Sequence, residues 1–380
     1  MRLGILTGGG DVPSLNAVIA SAVHGCDEKK IELIGFLKGW EGILEDQWIN
    51  LNNIQVPSHI GGTILKSSRI NLQKVQHGPE KVLDLLRKNK IDGLIVIGGE
   101  DTLSNALLIK EFPKVLISKT IDNDVGQFKD DIFLNHFTLG YPTAADKIAS
   151  FVSLKEGLRT TAYSHERIIV VESMGMHAGW LALASSQGHP DFIIIPEFSV
   201  DFSNLKERVI NRFRDQKHVI IVISEGSKWG DGTYISADYS EPDSFGHPRF
   251  RGTAEVLAKK LKEELKGEFD TRNVSSVNPS YLYRSGAPNT LDQEMGVKMG
   301  RYAVEYLEKS KETVFLCAEK IKRSTFEVQP FRFNNLSNIE EFHRFVDSTL
   351  YDLSTMNITS EGKDYFEQFT RSFPKLNYHV

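Results

Sequence analysis

Cysteine is almost absent from this chain, which carries two thiols, Cys26 and Cys317, in 380 residues. Two isolated cysteines build neither a disulfide framework nor a paired-cysteine metal motif, so both read as buried thiols of a reducing compartment. The eleven histidines show no metal-ligand spacing, which argues against a structural zinc. Positive charge is not in excess either. Forty-five Lys and Arg stand against fifty Asp and Glu, a net charge of -5. That removes a general basic field for nucleic acid and leaves anion binding to local constellations. No apolar run is long enough to span a bilayer. The first residues enter a strand-like run with no signal-peptide core. The expectation is a cytoplasmic protein with no nucleic-acid or membrane partner. No Gly-x-Ser-x-Gly nucleophile element occurs.

What is present is alternation. Short β-branched runs at Leu3–Thr7, Ile31–Leu37, Gly93–Ile97, Val115–Ser118, Ile168–Glu172, Phe192–Ile195, Val219–Ser224 and Val314–Cys317 read as strands. Between them lie helix-like stretches such as Leu15–Val23, Glu80–Lys88, Thr102–Lys110, Ala144–Leu154, Leu205–Arg214, Ala254–Leu265 and Asp292–Leu307. Continuous apolar strands separated by helices predict an α/β fold whose parallel sheets are covered on both faces. The length suggests two domains. Ligands of such sheets sit at the carboxyl ends of the strands.

The polar motifs cluster at those ends. Gly8-Gly9-Gly10-Asp11 follows the first strand; it is either a phosphate-binding turn or a tight connection needing glycine dihedrals. Gly98-Gly99-Glu100-Asp101-Thr102 follows another strand and opens a helix, a geometry that presents backbone N–H groups to an anion. Acids in such a cradle make sense when a divalent metal bridges carboxylate and phosphate. A carboxylate at Asp101 would also repel anything extending past a second phosphate, which points to pyrophosphate. Lys119-Thr120-Ile121-Asp122-Asn123-Asp124 offers two carboxylates beside a lysine. That set suits phosphoryl transfer to an alcohol, though Asp and Asn are also ordinary turn formers. Gly61-Gly62-Thr63 with Ser67-Ser68-Arg69 adds hydroxyls and a guanidinium.

In this order, and with Ser164-His165-Glu166-Arg167, Met174-Gly175, Ser224-Glu225-Gly226 and Tyr281-Leu282-Tyr283-Arg284-Ser285-Gly286, the motifs resemble the phosphofructokinase family, in particular its pyrophosphate-dependent branch. The resemblance implies two Rossmann-like three-layer domains with mostly parallel sheets, plus a C-terminal helical extension. Residues 1–135 and 283–333 would form the donor domain, 136–282 the fructose 6-phosphate domain and 334–380 the extension. It implies that Asp122 accepts the proton of the sugar C1 hydroxyl, with Thr120, Lys119 and Gly10 at the transferring phosphoryl group. Arg69, Gly99, Asp101 and Thr102 would complete the donor site, and Glu100 and Asp124 would hold Mg²⁺. Arg167, Met174, Gly175, Glu225, Arg272, Tyr281 and Arg284 would bind fructose 6-phosphate. Arg167 and Arg272 would reach in from a neighbouring subunit, implying a homodimer or homotetramer with shared active sites.

The resemblance assigns the donor through two positions. ATP users of the family generally carry glycine where Asp101 stands, and bacterial ATP users have glycine in place of Lys119. The family's usual arginine after Met-Gly is Met176 here, with Lys119, Arg69 or His177 as candidate replacements. Two other readings stand beside pyrophosphate-dependent phosphorylation of fructose 6-phosphate. One is a kinase using another sugar phosphate, such as sedoheptulose 7-phosphate, or ATP; the other is a non-catalytic regulatory subunit motivated by Met176. Ala20 and His24 occupy positions where the bacterial ATP-dependent branch has effector-site arginines, so the resemblance implies no such site.

Overall fold

A computed structural model describes residues 1–126, 128–129, 132–133, 135–238, 249–250, 252–322, 325–332, 343–371 and 373–375. It divides into two compact units, Met1–Thr143 with Arg284–Arg344, and Ala144–Tyr283 with Phe345–Val380.

The first unit opens with β1 (Arg2–Thr7), α1 (Leu15–Lys29), β2 (Glu32–Phe36), α2 (Trp40–Leu44) and β3 (Trp48–Asn50). It continues through α3 (Gly78–Lys88), β4 (Gly93–Gly98), α4 (Glu100–Leu108) and β5 (Lys114–Ser118) to a small hairpin, β6 (Phe128–Lys129) and β7 (Ile132–Phe133). Strands β1, β4 and β5 are buried at nearly every position, which explains their unbroken apolar sequences.

After α5 (Tyr141–Val152), which begins in the first unit, come α6 (Arg159–Ser164), β8 (Ile168–Ser173), α7 (Trp180–Ala184), β9 (Phe192–Ile194), α8 (Phe202–Gln216) and β10 (Val219–Ser224). Then follow the short β11 (Ala237–Asp238) and β12 (Arg249–Phe250), α9 (Thr253–Glu264) and β13 (Val274–Val277). The chain returns to the first unit with α10 (Thr290–Lys309), β14 (Val314–Lys322) and β15 (Thr325–Phe331). A ribbon of β16 (Tyr351–Asp352) and β17 (Asn357–Ile358), with α11 (Ser360–Phe366), belongs to the second unit. The extension expected over 334–380 begins among residues outside the described ones.

The first unit's sheet runs β15-β14-β5-β4-β1-β2-β3. It is parallel from β14 to β2, with β3 and β15 antiparallel at the edges. Strand order reverses between β1 and β4, so the crevice beyond their carboxyl ends is the place for a ligand. The second unit's sheet, β13-β8-β10-β9, is wholly parallel. Its core packs Ile168, Val170, Ile221 and Ile223 with Leu205, Val209 and Phe213 of α8 and Leu257 and Leu261 of α9. In the first unit Leu6, Leu94, Val96 and Leu116 meet Val82, Leu86, Leu103 and Ala106. Truncating one such buried leucine to alanine costs about 2–5 kcal/mol. Both sheets are therefore rigid supports for the loops at their ends.

Candidate active site

In the first unit the turns after β1 and β4 are packed against each other. A Cβ on Gly8 would lie 2.5 Å from the Thr102 hydroxyl, and one on Gly98 would lie 2.2 Å from the Thr102 Cβ. Thr102 is buried, and its carbonyl accepts a bond from the Trp40 indole at 3.2 Å. Glycine at 8 and 98 thus follows from close approach, while Gly9 adds a φ of +77°. Gly8 N–H donates to the Ile97 carbonyl and Gly9 N–H to that of Ser68, tying the turn to β4 and to the segment carrying Arg69. Gly10 faces Arg284, whose Nη1 would sit 2.5 Å from an added Cβ, and Arg284 Nε is 3.4 Å from Asp11 Oδ1. Arg284 therefore stands beside the glycine turn of the donor residues within the first unit.

Lys119, immediately after β5, is 3% exposed and donates Nζ to the Gly10 carbonyl. Burial, reinforced by the neighbouring Arg284 and Arg69 charges and opposed by Asp11 and Asp122, brings its ammonium down to about 7. The following turn is fixed from the 138–139 segment. Thr120 N–H donates to the Leu139 carbonyl, Thr138 Oγ1 donates to the Thr120 carbonyl at 2.6 Å, and Asn123 Oδ1 accepts from Thr138 N–H at 3.0 Å. Buried Asn123 takes a left-handed φ of 56°, reversing the chain between Asp122 and Asp124. Asp122 N–H donates to Thr120 Oγ1 at 3.1 Å.

Glu100 and Asp101 occupy the first turn of α4, with Gly99 at its N-cap, and acids there are favoured by the helix dipole. The Asp124 carboxyl is pushed up, first by desolvation and further by Glu100, and is drawn back by His343. His343, from the C-terminal part of the chain, donates Nε2 to Glu100 Oε2 at 2.7 Å. No sequence pattern points to His343, and the glycine motif that includes Asp11 gives no sign that it pairs with Arg284.

In the second unit, the loops after β8 and β10 interlock. Gly175 N–H donates to Glu225 Oε1 at 3.2 Å, Ser224 Oγ donates to the Gly175 carbonyl at 2.7 Å, and Glu225 N–H donates to the Ser173 carbonyl. Gly175 has a φ of +126°, and a Cβ on Gly226 would fall 1.8 Å from the Met176 carbonyl oxygen. Met174 and Met176 are half-buried beside them and His177 is exposed. Tyr281, in the turn beyond β13, is 63% exposed. Its neighbour Tyr283 is buried and donates to the Glu172 carbonyl at 3.0 Å.

Arg167 and Arg272 lie elsewhere. Arg167 precedes β8, and Arg272 sits in the single turn before β13, whose Val274 pairs with Ile168. Both therefore mark the amino edge of the sheet, a six-residue strand away from Met174 and Glu225, roughly 20 Å. The Arg272 side chain is 87% exposed and holds Asp270 at 2.7 Å. A cavity of about 970 Å³ with Arg159, Asp191, Arg212, Lys217 and His218 in its lining opens on that amino edge, apart from the carboxyl-end residues.

A doubly wound α/β fold with a buried lysine, paired acids and glycine turns at its strand ends suits phosphoryl transfer. Residues 2–307 match the family model described as Phosphofructokinase, and the chain belongs to that family. It is 36% identical over 325 residues to the pyrophosphate–fructose 6-phosphate 1-phosphotransferase of Dictyoglomus thermophilum, covering 84% of this chain and 90% of the relative. It is also 36% identical over 318 residues to ATP-dependent 6-phosphofructokinase 3 of Streptomyces coelicolor, covering 82% and 89%. Among solved structures, the pyrophosphate-dependent phosphofructokinase of Marinobacter aquaeolei is similar in fold, with a TM-score of 0.78 at 19% identity over 99% of this chain and 93% of that one. No helix among the described residues is long and apolar enough to cross a membrane.

Proposed function

We propose that this enzyme transfers a phosphoryl group from pyrophosphate to the C1 hydroxyl of fructose 6-phosphate, reversibly and with Mg²⁺, giving fructose 1,6-bisphosphate and phosphate. The observation that carries the donor assignment is the pair of acids, Glu100 and Asp101, opening α4 while Lys119 is buried at the end of the adjacent strand β5. A carboxylate at 101 repels a third phosphate and the nucleoside behind it. The ammonium of Lys119 supplies a compact charge to a small diphosphate.

The acids suit Mg²⁺. Burial and the neighbouring Glu100 charge raise the cost of ionising Asp124, a cost that a hard dication with oxygen ligands relieves. Among the described residues no group of three or more His, Cys, Asp or Glu forms a metal cage. Two carboxylates plus donor phosphates are the usual means of holding Mg²⁺. Bound there, the ion supplies neutralisation of the donor's oxygens.

The chain's own residues do the rest. Asp122 accepts the C1 hydroxyl proton as that oxygen bonds to phosphorus and the bond to the departing phosphate breaks. Lys119 and Arg69 neutralise charge on the donor, the load that an arginine at position 176 would otherwise share, and Arg284, expected at the sugar, joins them because its side chain lies beside Gly10 and Asp11. Gly10, Gly99, Thr102 and Thr120 line the phosphoryl path with backbone and hydroxyl groups. Met174, Gly175, Glu225 and Tyr281 serve the sugar. Arg167 and Arg272, on the opposite strand edge, serve the site of a second copy of the chain, in a homodimer or homotetramer. The donor domain comprises 1–135 and 283–333, the sugar domain 136–282.

Initial rates with pyrophosphate and with ATP, each with fructose 6-phosphate and Mg²⁺, test the proposal; turnover with ATP alone overturns the donor assignment. ATP as donor is the second reading, favoured by the equal identity to a relative named ATP-dependent.

A further inference from the structure

The C-terminal part of the chain reaches back to the acids of the first unit. His343 forms an antiparallel bridge with Val125, and Arg344 N–H donates to the Asp124 carbonyl at 2.9 Å. The Arg344 guanidinium, 2% exposed, donates to the carbonyls of Asn135 at 2.7 Å and His136 at 3.0 Å. These bonds use backbone and Arg344 only. They hold the segment in place whatever side chain stands at 343. On that fixed segment the His343 imidazole is aimed at one oxygen of Glu100, at 2.7 Å.

Glu100 carries its carboxylate on three rotatable bonds, and ordering such a side chain costs conformational entropy. A hydrogen bond that fixes one carboxylate oxygen orients the other, and partners of this kind change metal affinity by roughly 10–100-fold when removed. We infer that His343 is a positioning residue for the donor site, holding Glu100 in the orientation that receives the cation of the Mg²⁺–pyrophosphate donor. The inference rests on the function proposed above. It gives the C-terminal segment a part in donor binding that no strand-end motif supplies.

The test is Mn²⁺ binding in the presence of saturating pyrophosphate, read by electron paramagnetic resonance on the full chain, for wild type, Glu100→Gln, His343→Ala and His343→Gln. Removing the imidazole is expected to weaken Mn²⁺ binding by about tenfold. His343→Gln, whose amide can still donate to Glu100, should recover most of it. Steady-state kinetics should place the loss in the Mg²⁺ concentration for half-maximal rate and leave KM for fructose 6-phosphate unchanged. Equal thermal midpoints for His343→Ala and wild type would confirm that the segment stays docked. Mn²⁺ binding by His343→Ala equal to or tighter than wild type, with Glu100→Gln impaired, overturns the role of His343 and leaves the proposed function intact. A wild type that binds no Mn²⁺ with pyrophosphate removes the donor-site reading, and this inference with it.

Discussion

Asp101, opening α4, and buried Lys119 carry opposite charges, and the proposed donor site makes a separate prediction for each. On the proposed reading Asp101 is the obstacle to a longer donor. Asp101→Gly should raise kcat/KM for ATP at least tenfold, and ATP use that stays at background would show that position 101 is not the barrier. In the same reading Lys119 is the attracting charge. Its ammonium, held near 7 by burial and by Arg284 and Arg69, regains its proton when a polyanion arrives beside it. Pyrophosphate binding at pH 8 should therefore take up protons and weaken as pH rises above about 7. Calorimetry in buffers of different ionisation enthalpy reads that uptake; zero uptake contradicts the assignment. Between about 7 and the ordinary lysine value the unfolded chain holds a proton that the folded chain lacks, so this group's contribution to stability rises with pH across that window. Lys119→Met should lower kcat by roughly 10²–10³ if the charge acts on the transferring group.

Among the elements, parallel strands sort the site residues by which end they follow. Met174, Gly175 and Glu225 stand at carboxyl ends, whereas Arg167 and Arg272 precede strands of the same sheet. The interlocked loops after β8 and β10 leave no room at Gly226, where Gly226→Ala should destabilise the protein by about 1–3 kcal/mol in denaturant titration. A variant as stable as wild type would mean that the loops part easily. Legibility followed the same physics. Buried strands β1, β4, β8 and β10 announce themselves as short apolar runs, and glycine turns are visible because close approach permits nothing else. Strand β13 was hidden because its Val-Ser-Ser-Val sequence is only partly buried, and β15 because a half-buried edge strand alternates apolar and polar residues. Helix α1 runs on to Lys29, past the expected end at Val23, because Gly25 and Cys26 are buried without adding an amphipathic signal. His343 had no local signature at all. Its meeting with Glu100 depends on the path of the chain over a sequence separation of 243 residues.

For the whole molecule, the proposed sharing of sites between copies predicts that one chain does not assemble a complete sugar site by itself. Arg167→Ala and Asp122→Asn should each be nearly inactive, while mixed and reassembled oligomers should recover a measurable fraction of activity. No recovery in hybrids verified by mass would contradict shared sites. The family is common ground for relatives named for either donor, so membership leaves that choice to the residues after β4 and β5. The most direct measurement is the initial rate of fructose 1,6-bisphosphate formation from fructose 6-phosphate and Mg²⁺ with pyrophosphate or ATP as sole donor. The account predicts turnover with pyrophosphate and none above background with ATP; turnover with ATP and none with pyrophosphate would contradict it.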